Sequence, residues 1–235
     1  ETELVANLAR LTDLQARIWA EAKHAVLIVL QGIDAAGKDG TIKVIGGAFN
    51  PQGTPVTSFK EPSSLELAHD FLWRIHAAVP EKGDIGVFNR SHYEQVLIVR
   101  VHGLEPEARW RNHYRQINDW ERMLTQEGVT ILKFFLAIDK DEQRKRFQDR
   151  VDDPTKRWKI SPTDLPERQR WADYQIAFED MLFETSTDWA RWHVIPANHN
   201  WLRDLAISEI VADVLDDLNP QYPEPVAGIE SIKVV

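Results

Sequence analysis

The sequence has no cysteine among its 235 residues. This excludes a disulfide framework and any thiolate-ligated metal centre. Long hydrophobic runs are also missing: no segment approaches the ~18–20 apolar residues of a membrane span. No signal peptide is visible at the N-terminus. No membrane partner is expected, and the cytoplasm is the expected location. The eight histidines show no close metal-ligand spacing such as H-x-x-x-H, which argues against a zinc site. Positive charge is in deficit, with a formal net charge of −9, and that argues against a nucleic-acid partner.

A hydrophobic share of 43% can build the core of one α/β domain at this length. The most informative stretch is Gly32-Ile33-Asp34-Ala35-Ala36-Gly37-Lys38-Asp39-Gly40-Thr41. It has the two glycines and the lysine of a phosphate-binding P-loop. In such a loop, glycines let consecutive backbone N–H groups converge on an anion. The following helix adds its positive end, and a Ser or Thr after the lysine holds Mg²⁺. Here Asp39 stands in that Ser/Thr position, Thr41 comes two residues late, and a carboxylate, Asp34, sits inside the loop. Gly-x-x-x-x-Gly-Lys alone is weakly specific, and a tight β-α turn without ligand is the plain alternative. The context favours the loop: His24–Leu30 is a continuous apolar run suited to a buried strand, and Asp39–Ile45 has helix-compatible spacing.

Further along, the patterning predicts a helix over 1–23 with Leu4, Leu8, Leu11, Leu14 and Ile18 on one stripe. A turn at Asn50–Gly53, a short strand over Thr54–Phe59 and a helix from Ser63 to about His76 follow, the last with Leu65, Ala68, Leu72 and Ile75 inward. Strands are expected over Asp84–Phe88, Val129–Ile138 and His193–Pro196, with helices over 106–127, 140–150, 167–186 and 200–218. The expected fold is therefore α/β: a parallel, five-stranded sheet with helices on both faces, as one domain over 1–235. The proline-rich tail from about 220 is expected to be loose.

In such sheets ligands bind outside the carboxyl ends of the strands. The loop at 32–41 and Asn89-Arg90-Ser91 both fall at such ends. Asp34 is placed to hold Mg²⁺, to orient or deprotonate an acceptor, or simply to cap its turn. Where a Walker-B-type Asp is often found, this chain has Asn89. Arg90 is a natural phosphate fork, and Tyr93 and Glu94 follow within reach of a nucleotide. Lys43 and Lys60 are either phosphate contacts or plain surface lysines, and Arg74 is read as a paired structural residue. Between Arg144 and Arg170 nine basic residues share the window with five acidic ones, and the segment 151–170 reads as a basic lid. A solvated helix face is the bland alternative. Trp158 either anchors that lid or packs.

These motifs resemble polyphosphate kinase family 2. Gly32–Lys43 is similar to its Walker A region, including the Asp inside the loop and the Asp after the lysine. Ser58–Pro62 through Trp73-Arg74, Phe88–Glu94, Lys156–Lys159 and Asn198–Trp201 also resemble the family, so the likeness runs from about Leu11 to Leu218. Asn89 with His92-Tyr93-Glu94 is similar to the class III branch, which phosphorylates both AMP and ADP. Gln95 departs from that branch, where an acidic residue commonly follows the Glu. The resemblance implies a P-loop kinase-like fold with a basic helical lid, and a Mg²⁺-dependent enzyme (or Mn²⁺ in its place) transferring terminal phosphoryl groups between inorganic polyphosphate and AMP, ADP and ATP, as a homodimer or homotetramer.

Carried over by position, Asp34 would bind the metal and position the attacking phosphate. Lys38 and the backbone through Ala35, Ala36, Gly37, Asp39, Gly40 and Thr41 would hold the transferred group. Asn89, Arg90, Tyr93 and Glu94 would meet the nucleotide. Lys43, Lys60, Arg146, Arg150, Lys156, Arg157 and Lys159 would line a polyphosphate channel. Two other readings stand beside this one. The first is an ATP-dependent kinase on the same fold, against which the missing Ser/Thr counts. The second is a non-catalytic polyphosphate or nucleotide sensor, against which Asp34 counts.

Overall fold

The computed structural model describes residues 2–232. Glu1 and Lys233–Val235, which belong to the expected first helix and tail, lie outside the described residues. Five strands form one sheet: β1 (Ala25–Gln31), β2 (Val56–Ser58), β3 (Ile85–Asn89), β4 (Val129–Ala137) and β5 (Trp192–Pro196). Their order is β2-β3-β1-β4-β5, and every pairing is parallel. The register pairs Leu30 of β1 with Asn89 of β3, so the two strands end side by side.

β1 is buried along its whole length, because helices cover both sheet faces. Val26, Ile28 and Leu30 point into one core with Leu11, Leu14, Ile18, Ile207, Val211 and Leu215. These come from α1 (Thr2–Glu21) and α10 (Asn200–Asp217). Ala25, Leu27 and Val29 point into the other core with Tyr114, Ile117, Leu124, Phe178 and Met181. Those come from α6 (Glu107–Gln126) and α9 (Trp171–Thr185). The period of two sorts successive residues to opposite faces, and each aliphatic side chain so buried contributes about 1.5–3 kcal/mol.

The remaining helices are α2 (Lys38–Gly46), α3 (Ser64–Leu67), α4 (Trp73–His76), α5 (Ile98–Val101), α7 (Lys140–Asp152) and α8 (Asp164–Gln169). Two expected helices are broken. The helix expected from Ser63 to His76 starts as expected, with Ser63 and Glu66 forming a reciprocal capping box. It then stops at Leu67, because the Asp70 carboxylate takes the Leu72 N–H at 3.0 Å and offers the backbone a turn instead. Leu65 and Ala68, expected inward, are exposed, while Ile75 is buried. The helix expected over 167–186 is divided at Arg170 into α8 and α9. No helix among the described residues is long and apolar enough to cross a membrane.

One polar cluster lies inside the apolar core. The Lys133 ammonium, on β4, donates to Glu121 at 2.7 Å, to the Tyr93 hydroxyl oxygen at 2.8 Å and to the Thr185 carbonyl at 2.7 Å. The Tyr93 hydroxyl donates to the other Glu121 oxygen at 2.6 Å. This cluster joins β4, α6, α9 and the turn after β3. Glu121→Ala would leave the Lys133 charge buried without its partner. We expect a loss of about 3–5 kcal/mol in chemical denaturation, and a loss below about 1 kcal/mol would contradict this role.

Candidate active site

Leaving β1, the chain curls through residues 32–37 and enters α2. Gly37 sits at φ +111°, and a Cβ there would lie 2.1 Å from Nη1 of Arg203. Gly32 sits at φ +154°, and its Cβ would meet the Leu136 carbonyl at 2.8 Å. Ala35 adopts φ +65°, a conformation that costs a non-glycine residue about 1–2 kcal/mol. The curl is held from outside by side chains. Lys38 Nζ donates to the carbonyls of Gly32 at 2.6 Å and Ile33 at 3.4 Å. Gln143 donates to the Asp34 carbonyl at 2.9 Å. Arg146 donates to the carbonyls of Ala35 at 2.9 Å and Ala36 at 3.0 Å.

Five consecutive carbonyls are thus each met by a donor. In a planar trans peptide the C=O and the next N–H point in opposite directions. Pinning the carbonyls of Asp34 and Ala36 outward therefore turns the N–H groups of Ala35 and Gly37 inward. The N–H groups opening α2 add to them, being unpaired by helix geometry. The loop has the donor arrangement an anion requires.

The ends of β1 and β3 bring the charged groups together. Arg90 Nη2 donates to Asp34 Oδ1 at 2.7 Å, and Nη1 lies 3.9 Å from Glu94. Asn89 donates to Asp39 at 2.8 Å. Gln31 donates to Ser91 at 3.3 Å and Glu94 at 3.2 Å, fixing the turn after β3. Arg90 stands at φ +61°, and a residue held in this region stores about 1–3 kcal/mol. Burial lowers the Lys38 ammonium below the usual lysine range, with Asp34 opposing that shift and Arg90 adding to it. Burial also disfavours the Arg90 charge, but Glu94 and Asp34 outweigh it and raise its pKa.

Asp34, Arg90 and Glu94 open on a cleft of about 760 Å³, whose lining does not include Lys38, Asp39 or Asn89. Asp34, Lys60, Arg90 and Glu94 line it, together with Gln143, Thr163, Glu167 and Arg168. Other expected site residues lie elsewhere. Tyr93 is corrected: it is fully buried, with its hydroxyl engaged by Glu121 and Lys133, so it faces the core and not a nucleotide. Arg146 is half-buried and directed at carbonyl oxygens of the loop and of Ala197 and Asn198, so it braces the loop from outside. Thr41 is buried, its hydroxyl has no hydrogen-bond partner among the described residues, and Gly40 packs near Arg203. Lys43 is exposed on α2.

Arg150 donates to the Lys159 carbonyl at 3.2 Å, Arg157 donates to the Val151 carbonyl at 2.8 Å, and Lys156 pairs with Asp153 at 2.8 Å. Trp158 is exposed, with Lys159 5.1 Å from its ring centre. The residues that reach the cleft from this segment are Thr163 and, on α8, Asp164, Glu167 and Arg168. Gln143 and Arg203 are absent from the sequence expectations, and Arg168 stands there only as one of the nine cations between Arg144 and Arg170. The spacing of Gln143, Arg146 and Phe147 on one face of α7 was the available signal.

A metal ion would find oxygen ligands here. Asp34 engages Arg90 through one carboxylate oxygen, Oδ1. Among the described residues no three His, Cys, Asp or Glu side chains could hold a metal by themselves. Carboxylate oxygen is the ligand type that hard divalent cations take, usually one or two such groups together with substrate phosphates.

The model of the polyphosphate kinase 2 (PPK2) family matches residues 1–223. The chain belongs to that family. It is 52% identical over 225 residues to an AMP/ADP-polyphosphate phosphotransferase from Meiothermus ruber, covering 96% of this chain and 84% of that protein. It is 48% identical over 233 residues to an ADP-polyphosphate phosphotransferase from Rhodopseudomonas palustris, covering 94% and 81%. A crystal structure of polyphosphate kinase 2 from Arthrobacter aurescens TC1 superposes with a TM-score of 0.95 at 45% identity, covering 97% of this chain and 82% of that one. The PPK2 loop described above makes its own prediction. Gly37→Ala adds a Cβ where Arg203 sits, at a φ costing a non-glycine residue about 1–2 kcal/mol. Calorimetric titration with tripolyphosphate should show at least about tenfold weaker binding, and unchanged binding would contradict the cradle.

Proposed function

We propose that this chain is a Mg²⁺-dependent phosphotransferase moving terminal phosphoryl groups, reversibly, between inorganic polyphosphate and AMP or ADP, yielding ADP and ATP. One observation carries the reading: a phosphate loop without a Ser/Thr after its lysine holds a carboxylate, Asp34, 2.7 Å from Arg90 of the neighbouring strand end. The names of the relatives support the donor and acceptor classes. In this reading the transferred phosphoryl lies over the N–H groups of Ala35, Gly37 and Lys38, because the Ala36 N–H donates to the Ile33 carbonyl at 3.0 Å. Lys38 Nζ needs only side-chain rotation to exchange the Gly32 carbonyl for a phosphate oxygen.

Arg90 and Asn89 hold the acceptor phosphate, with Glu94 on the nucleotide side. Asp34 holds the metal, with Mn²⁺ as a substitute. When bound, the ion would offset the negative charge of the phosphates. Lys60 lies along the polyphosphate path, with Lys43, Arg150, Lys156, Arg157 and Lys159 further out. Arg146 acts indirectly by shaping the loop. The segment 151–170 serves as a lid that excludes water and favours transfer over hydrolysis. The protein works in the cytoplasm as a homodimer or homotetramer, with the exposed Val5 and Trp19 of α1 available for contact.

Purified protein given AMP, polyphosphate and Mg²⁺ should form ADP first and then ATP, and chelation of the metal should stop both. No ATP from either nucleotide would end the proposal. Lys38→Ala should lower turnover at least about 10²–10³-fold, as expected when a charge-stabilising group is lost. Asp34→Ala should abolish turnover while largely sparing polyphosphate binding, and unchanged turnover would remove Asp34 from the mechanism.

A further inference from the structure

The Gln143 side chain is buried and both ends of its amide are engaged. Its Nε2 donates to the Asp34 carbonyl at 2.9 Å. Its Oε1 accepts from Nη1 of Arg168 at 2.9 Å, and the same Nη1 donates to the Lys140 carbonyl at 2.7 Å. Arg168 lies on α8, which is fastened on its other side. Glu167 sits 3.0 Å from Nε2 of His102 and accepts from the Tyr174 hydroxyl at 2.8 Å. α8 therefore spans the cleft between α7 and the α5–α9 side, and its link to the phosphate loop passes through one planar group.

We propose that Gln143 is a positioning residue that couples the placement of α8 to the phosphate loop. The proposal rests on the reading of Asp34 and its loop as the phosphoryl-transfer site. Only Gln and Asn carry a donor and an acceptor on one rigid amide, and Asn is one methylene too short for this span. The Asp34 carbonyl and the Ala35 N–H belong to the same planar peptide and point oppositely. Drawing the carbonyl toward Gln143 aims the Ala35 N–H into the loop. When Arg168 holds Oε1, the amide cannot flip or swing, and the loop peptide stays aimed. When Arg168 moves away with α8, Oε1 is left buried and unmet, which is unfavourable, and the amide reorients off Asp34. The loop is thus ordered for transfer when α8 is seated over the cleft.

Hydrogen exchange on the full chain reads this coupling without turnover. Arg168→Met removes the α8 contact and leaves residue 143 intact. Exchange in the peptide spanning residues 31–38 should quicken at least about fivefold in Arg168→Met. It should quicken to the same degree in Gln143→Met, and no further in the double variant. Loop exchange that stays at the wild-type rate in Arg168→Met, or effects that multiply in the double variant, overturn the coupling.

If Gln143→Met does not fold, Gln143→Glu replaces it. That variant keeps the acceptor for Arg168 and loses the donor to Asp34, with the same expected exchange. In turnover, Gln143→Met should lower kcat about tenfold or more while KM for polyphosphate stays within about threefold. A loss appearing in KM alone contradicts the assignment. Should the wild type make no ATP from polyphosphate, the proposed function fails, while the exchange comparison still decides the coupling.

Discussion

A cradle of backbone N–H groups forces an equal number of carbonyls to face the other way, and each of those that is shielded from water must find a donor inside the protein. That constraint organises this molecule. The carbonyls from Gly32 to Ala36 are met by Lys38, Gln143 and Arg146. These donors arrive from the helix that the loop itself starts and from α7, the helix after β4. Arg203 of α10 packs where Gly37 has no side chain. The wholly buried β1 fixes where the loop begins, and its parallel pairing with β4 sets where α7 begins. Core packing and phosphate geometry are thus one problem, solved by the same strands.

The charges show the same economy. Arg90, strained at positive φ, stands beside Asp34 because β1 and β3 end in register. Its neighbours alternate in direction along the 3₁₀ turn that follows. Glu94 turns to the cleft, while His92 and Tyr93 turn inward to Glu121. The buried Lys133–Glu121 pair holds that turn against β4 and α6. A pair of this kind adds little net stability over apolar packing, but it punishes any displacement that separates its members.

Much of this was legible in the residues. The apolar run after His24, the glycine spacing and Asp34 identified the loop, and the alternation of strands and helices identified the sheet. What stayed hidden is direction. Nine cations between Arg144 and Arg170 suggested an anion site, yet composition does not say which way a side chain faces, and Arg146 turned out to serve carbonyls. Tyr93 lies three residues after Arg90 in sequence, but a tight turn sent it to the core. The helix expected to run to His76 failed at Asp70, where one carboxylate captured a backbone N–H. Such choices depend on neighbours far along the chain, and Gln143 reaches Asp34 across more than a hundred residues.

The membership in PPK2 and the names of its relatives speak to donor and acceptor, while the loop speaks to how transfer could occur. The most direct measurement is a crystal structure of the protein with tripolyphosphate and Mg²⁺. The account predicts the terminal phosphate on the N–H groups of Ala35, Gly37 and Lys38, Lys38 Nζ moved from the Gly32 carbonyl to a phosphate oxygen, and the metal on Asp34. A phosphate chain bound away from residues 35–38, with Lys38 still on Gly32, would contradict it.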